Sequence, residues 1–126
     1  MKVKTVLIID DEPGFTNIVR LTLEATHNYK VFAENDPRKA LQTAHRVAPD
    51  IILLDMIMPC MDGGDVRLQL SADPVLKHVP VVFVTGIIKK SEVDEHAGII
   101  GGECYISKPV SVDGLIRVIE QHFVET

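Results

Sequence analysis

Four apolar runs in this chain each end in a residue that carries chemistry. Val6-Leu7-Ile8-Ile9 leads into Asp10-Asp11, Ile51-Ile52-Leu53-Leu54 into Asp55, Val81-Val82-Phe83-Val84 into Thr85, and Cys104-Tyr105-Ile106-Ser107 into Lys108. The first three are almost unbroken aliphatic sequence, as required of strands covered on both faces. Covering both faces of a sheet calls for helices between the strands, and the sequence supplies them. After Pro13, suited to a first helical turn, Phe15, Ile18, Val19 and Leu23 recur on one face. Asp36-Pro37 is an N-cap followed by a first-turn proline, with Ala40, Leu41, Ala44, Val47 and Ala48 as the stripe and Pro49 as the stop. A weaker third helix spans residues 63–72, and the last begins near Ser111 with Val112, Leu115, Ile116, Ile119 and Phe123 on one face. Between Lys89 and Glu103 the periodicity blurs, because Gly98, Gly101 and Gly102 each cost roughly 1 kcal/mol against alanine inside a helix. The fourth helix is expected to be short or mobile.

A further run, Lys30-Val31-Phe32-Ala33, alternates more, and the last run carries Ser107, so these two are placed at the sheet's edges. The alternation of strands and helices predicts an α/β protein with a parallel sheet and helices on both faces. In such sheets ligands sit beyond the carboxyl ends of the strands, near the point where the strand order reverses. All the chemistry-bearing tips then gather at one edge. Three carboxylates, a hydroxyl and an ammonium there suit a divalent cation and a phosphoryl group.

Length and composition narrow the classes. With 126 residues, 46% of them hydrophobic, the chain forms one domain with a substantial core, and residues 1–126 are read as that domain. The balance of 13 basic and 18 acidic residues, a net charge of −5, argues against the basic surface that direct nucleic-acid binding requires. Cys60 and Cys104 form no CxxC pair and read as reduced thiols. The first apolar run stops at Asp10, too short for a signal peptide or membrane span. The expectation is a soluble, cytoplasmic protein.

Taken in order, Leu7-Ile8-Ile9-Asp10-Asp11-Glu12, Leu53-Leu54-Asp55-Met56-Ile57-Met58-Pro59 with Met61-Asp62-Gly63, Val84-Thr85-Gly86, and Tyr105-Ile106-Ser107-Lys108-Pro109 resemble the receiver domain of two-component response regulators. Each motif alone is weak, but four in order at suitable separations cover essentially the whole chain. The resemblance implies a flavodoxin-like, doubly wound sheet of five parallel strands in the order 2-1-3-4-5 with five helices, in three α/β/α layers. It implies that Asp55 is the phosphoacceptor, taking a phosphoryl group from a sensor histidine kinase or a phosphotransfer protein. Asp11, Asp55 and the backbone carbonyl of Ile57 would surround Mg²⁺, for which Mn²⁺ can substitute, with Asp10 helping through water. Thr85, with the small Gly86 beside it, would turn to the phosphoryl group, Lys108 would pair with it, and Tyr105 would follow Thr85 inward. The Lys108-Pro109 bond is expected to be cis. The surface of the fourth helix, fifth strand and fifth helix would carry the readout, to an effector protein, to an output domain beyond Thr126, or to a second copy in a phosphorylation-dependent homodimer. The resemblance also implies a regulator rather than an enzyme, one that would catalyse only its own phosphorylation and dephosphorylation.

The physical demands agree with these roles. Two carboxylates about 4 Å apart repel by roughly 1 kcal/mol in water and about 4 kcal/mol at an effective dielectric of 20, so a cluster of three calls for a cation. The bland reading of Asp10, Asp11 and Glu12, that they favour the following helix through its dipole by about 0.3–1 kcal/mol, loses weight once Asp55 lies on the neighbouring strand. Thr85 and Tyr105 would otherwise be ordinary strand residues, and Lys108 a solvated lysine. Rival classes fit less well. An aspartyl-phosphate phosphatase of the haloacid dehalogenase type wants DxDxT after the first strand, which Asp10-Asp11-Glu12 does not match. A flavodoxin-type FMN binder wants a hydroxyl- and glycine-rich loop there. The remaining alternative is a non-phosphorylated pseudo-receiver that serves as a docking module, a class that usually lacks part of the acidic set or the lysine.

Overall fold

The computed structural model describes residues 2–123. Strands β1 (Lys4–Ile9), β2 (Tyr29–Glu34), β3 (Ile51–Leu54), β4 (Val81–Thr85), β5 (Ile99–Ile100) and β6 (Glu103–Ser107) form one sheet in the order β2-β1-β3-β4-β6-β5. Helices α1 (Pro13–Glu24), α2 (Ala40–Val47), α3 (Gly63–Ala72), α4 (Lys90–Glu95) and α5 (Val112–Gln121) connect or follow the strands. All neighbouring strands pair in parallel except β5 and β6. The architecture is the flavodoxin-like three-layer fold expected from the alternation of runs and stripes.

The aliphatic runs occupy the centre because both of their faces are covered. Val6, Leu7 and Ile9 of β1 and all four residues of β3 are fully buried. Successive side chains on a strand point to opposite faces, and the two cores divide accordingly. Val6, Ile8, Ile51, Leu53, Val82 and Val84 pack with Val19 and Leu23 of α1 and Leu115 and Ile119 of α5. Leu7, Ile9, Ile52, Leu54 and Phe83 pack on the other side with Ala40 and Ala44 of α2 and Val66 and Leu70 of α3. Each fully buried large aliphatic side chain stabilises the fold by about 1.5–3 kcal/mol.

Helix starts follow the chemistry read from the sequence. Pro13 opens α1, the Asp62 side chain accepts the Asp65 N–H at 2.9 Å to cap α3, and Ser111 accepts the Gly114 N–H at 3.1 Å to cap α5. Asp36 caps a 3-10 turn, Pro37–Lys39, which precedes α2 instead of being its first turn. Among the described residues no helix is long and apolar enough to cross a membrane.

Three expectations are corrected. The sheet has six strands, and the run ending at Ser107 is not its edge, because the two-residue β5 pairs antiparallel with β6 through Ile99↔Cys104 and Ile100↔Glu103. The connection is Gly101-Gly102 with φ of 59° and 82°, and positive φ at both central residues marks a tight hairpin turn. The glycines that weaken the helical pattern therefore build a hairpin, and α4 keeps six residues before the chain leaves it. Ile18 does not face the core. It is 64% exposed, while Thr16 takes the buried position beside Val19 and Leu23. Ile18 instead lines an apolar crevice between α1 and the start of α5.

The hairpin assignment has a direct test by chemical denaturation. Gly102→Val forces a β-branched residue into left-handed backbone and is expected to destabilise the protein by about 1–2 kcal/mol. Gly101→Asn, which tolerates positive φ, should be close to neutral.

Candidate functional site

The order β2-β1-β3 places the ends of β1 and β3 side by side, paired through Ile9↔Leu54, where the chain leaves toward α1 on one face and α3 on the other. Asp10 and Asp55 each follow the last residue of a strand there. Both are buried, 1% and 6% exposed, although each is a carboxylate. Asp11 joins them, and one carboxylate oxygen from each of the three lies within 4.8 Å of the others. Thr85, the last residue of β4, is buried at the same edge, and Lys108 follows β6.

Lys108 is the local counter-charge. Its Nζ donates to Asp10 Oδ2 at 2.8 Å and lies 3.8 Å from both Asp55 Oδ1 and Glu12 Oε1. Burial works against its charge, but the hydrogen bond to Asp10 and the charges of Asp10, Asp55 and Glu12 hold the ammonium above the ordinary lysine range. Asp55 is shifted upward, first by burial and then by repulsion from Asp10. The Lys108 charge and the backbone N–H groups of Ile57 and Met56 offset part of that shift. The cluster thus has a carboxyl under electrostatic pressure and oxygen donors close enough to share a hard divalent cation.

Around this centre the remaining candidates fall into distinct positions. The Thr85 hydroxyl accepts the Ile87 N–H at 3.3 Å, and the Thr85 carbonyl accepts the Lys108 N–H at 2.9 Å, which ties the ends of β4 and β6 together. Gly86 is exposed, and a Cβ added to it would meet Lys108 Cβ at 4.0 Å, an ordinary contact, so space alone does not require glycine there. Ile57 lies in the loop after Asp55 with its side chain 58% exposed. Tyr105 is half-buried and stacks on Phe83, its register partner on the neighbouring β4, at 5.2 Å between ring centroids. The Lys108-Pro109 peptide is cis.

Several supporting residues are not apparent from the sequence motifs. Asn35, at the tip of β2, donates from Nδ2 to the Asp10 carbonyl at 2.8 Å and to Thr16 Oγ1 at 3.1 Å, holding the β1 tip in place. It obeys the same tip pattern as the other four strands, which was its available signal. The ring of Phe15 lies 4.3 Å from Lys108 Nζ, close enough for a cation–π contact. The Ser107 hydroxyl donates to the Ile88 carbonyl at 2.7 Å and so fastens the loop after Thr85 to β6. Gly63 is sterically required, because a Cβ there would come within 2.2 Å of the Asp55 carbonyl oxygen.

Comparison with known proteins places the chain in a family. The response regulator receiver domain family matches residues 6–120. The chain is 34% identical over 119 residues to the polar-differentiation response regulator DivK of Brucella anthropi, covering 94% of this chain and 95% of that protein. It is also 34% identical over 119 residues to a probable cyclic di-GMP phosphodiesterase of Vibrio cholerae, of whose length it spans 26%. The chemotaxis response regulator CheY4 of Vibrio cholerae has the same fold, with a TM-score of 0.80 at 24% identity, covering 96% of this chain and 99% of that one. The doubly wound sheet and the family match together identify a receiver domain of the two-component response-regulator type. The chain belongs to the response regulator receiver domain family.

The electrostatics of Asp55 predict a pH dependence. A carboxyl whose folded-state pKa is raised keeps its proton to higher pH in the folded protein than in the unfolded chain. Stability therefore falls as pH rises from the ordinary Asp value, about 3.9, through the raised folded value. Asp55→Asn removes that loss. In EDTA at pH 7 the variant should melt higher than wild type, by roughly 4 °C for each 1 kcal/mol recovered, and the gap should close below pH 4. Equal melting at pH 7 would mean that burial and repulsion do not act on Asp55.

Proposed function

We propose that this protein is a phosphoacceptor switch in which Asp55 receives a phosphoryl group from a histidine kinase or phosphotransfer protein. The observation that carries this reading is the cluster itself: three carboxylates within 4.8 Å, with Lys108 alongside and the Thr85 hydroxyl at the adjoining strand tip. Asp55 attacks phosphorus through a carboxylate oxygen as the bond to the donor's imidazole nitrogen breaks, leaving an acyl phosphate. Asp10, Asp11, Asp55 and the Ile57 carbonyl would hold Mg²⁺ or Mn²⁺, and a bound ion would supply charge neutralisation and orientation of a phosphoryl oxygen. The fit is supported by the all-oxygen donor set and its spacing.

The chain's own groups then couple site to surface. Lys108, engaged with Asp10 and 3.8 Å from Asp55, shifts toward the new phosphoryl oxygens as the larger negative charge arrives. Thr85 exchanges the Ile87 N–H for the phosphoryl group, which frees the β4–α4 loop and gives Tyr105 room to move. The changed surface is that of α4, β6 and α5. It would be read by an effector protein, by an output domain, or by a second copy of the chain. In this reading the protein turns over no substrate other than its own phosphoryl group, and it works in the cytoplasm.

Labelling by acetyl phosphate should require Mg²⁺ and fall at least 100-fold in Asp55→Asn, measured by intact mass. Labelling that persists at the wild-type level in that variant would overturn the assignment. Thr85→Ala should still be labelled but lose the phosphorylation-dependent change in hydrogen exchange across residues 86–104. An unaltered exchange response in Thr85→Ala would remove Thr85 from the coupling.

A further inference from the structure

Cys104 and His122 form a pair at the end of β6 away from the acidic cluster. Cys104 Sγ lies 3.8 Å from His122 Nε2, and His122 Nδ1 lies 2.9 Å from the Val118 carbonyl oxygen. A carbonyl can only accept, so Nδ1 carries the proton and the lone pair of the neutral ring is on Nε2, facing the thiol. A nucleophile with a base in reach, the base itself oriented by a third group, is the arrangement that activates thiols. Both side chains are half-buried and line a crevice of about 310 Å³ that also contains Val93 of α4, Ile99 of β5, and Val118 and Gln121 of α5. The thiol therefore has a base, an approach and space for a substituent.

We propose that Cys104 is a modification site that exchanges with small disulfides, with His122 as its base. As sulfur attacks one sulfur of the disulfide, Nε2 takes the thiol proton. A new Cys104–S–S–R bond forms, the R–S–S–R bond breaks, and the proton passes to the departing thiolate, which leaves as RSH. The Cys104 sulfur is oxidised and the leaving sulfur reduced, so electrons balance. The substituent occupies the crevice between α4 and α5 and acts as a wedge on that face. Cys104 lies three residues before Ser107, roughly 10 Å along the strand, so the acidic cluster is left intact. Only the consequence for signalling rests on the phosphoacceptor reading; the exchange reaction does not.

The test uses Cys60→Ser, which leaves Cys104 as the one thiol of a chain with two cysteines. Oxidised glutathione should give a mixed disulfide by intact mass that dithiothreitol reverses. The iodoacetamide rate of Cys104 at pH 7.5 should exceed that of free glutathione under the same conditions, as expected of a thiol with a base in reach. A rate no faster than that of free glutathione overturns the role of the base without recourse to any further variant. Adding His122→Gln should slow the reaction about tenfold at pH 7.5, with the rates converging above pH 9.5, and coincident profiles would overturn the proposal. The adduct should alter hydrogen exchange in α4 and α5 while acetyl phosphate labelling of Asp55 stays within about twofold. Unchanged exchange overturns the wedge, whereas a failure of labelling in unmodified protein counts against the phosphoacceptor reading alone.

Discussion

Asp10, Asp11 and Asp55 hold carboxylate oxygens within 4.8 Å of one another at the carboxyl edge of a buried sheet, and their repulsion is met by the Lys108 ammonium. Water would screen such a cluster on an open surface, but Asp10 and Asp55 are almost completely excluded from it. The arrangement persists because the strands beneath it are anchored by fully buried aliphatic side chains that the site cannot displace. Hydrophobic burial of β1 and β3 thus holds the like charges together, and the resulting electrostatic pressure makes the cluster responsive to any added charge.

Short, specific links join the cluster to the neighbouring strand tips. Lys108 touches Asp10 through its ammonium and Thr85 through its backbone N–H, so the tip of β6 senses both the acidic cluster and the tip of β4. Ser107 extends the link to Ile88 in the loop before α4. In the proposed switch, a change of charge at Asp55 would reach α4 through these groups, which are already joined by hydrogen bonds. The helix it reaches is only six residues long, followed by a hairpin built on two glycines. An element that small buries little and is held by few internal hydrogen bonds, which suits it to move at low cost.

The site's chemistry was largely legible in the sequence because it sits at strand tips. An unbroken aliphatic run announces a buried strand, and the residue that ends it must lie at the sheet's edge. Asp10, Asp55, Thr85 and Lys108 all follow that logic, and the structure gathers them. Asn35 follows it too, yet an asparagine after a half-buried edge strand looks like any turn residue. Phe15 read as core packing, and nothing in its spacing showed that its ring would lie beside Lys108. The Gly101-Gly102 hairpin was illegible for a related reason. Glycines report only permissive backbone, and whether they break a helix or turn a hairpin depends on whether a strand edge is free to pair.

What the sequence determined by itself was the set of elements, their alternation and the chemical character of each tip, since these depend on local periodicity and on which residues interrupt it. The tertiary structure alone decided which charges face each other. Lys108 pairs with Asp10 across 98 residues of sequence, and Cys104 meets His122 between a strand and a helix. Those pairings depend on the strand order and on how α5 packs against the sheet. Each is set by the burial of many aliphatic side chains at once, a global property that no local pattern encodes.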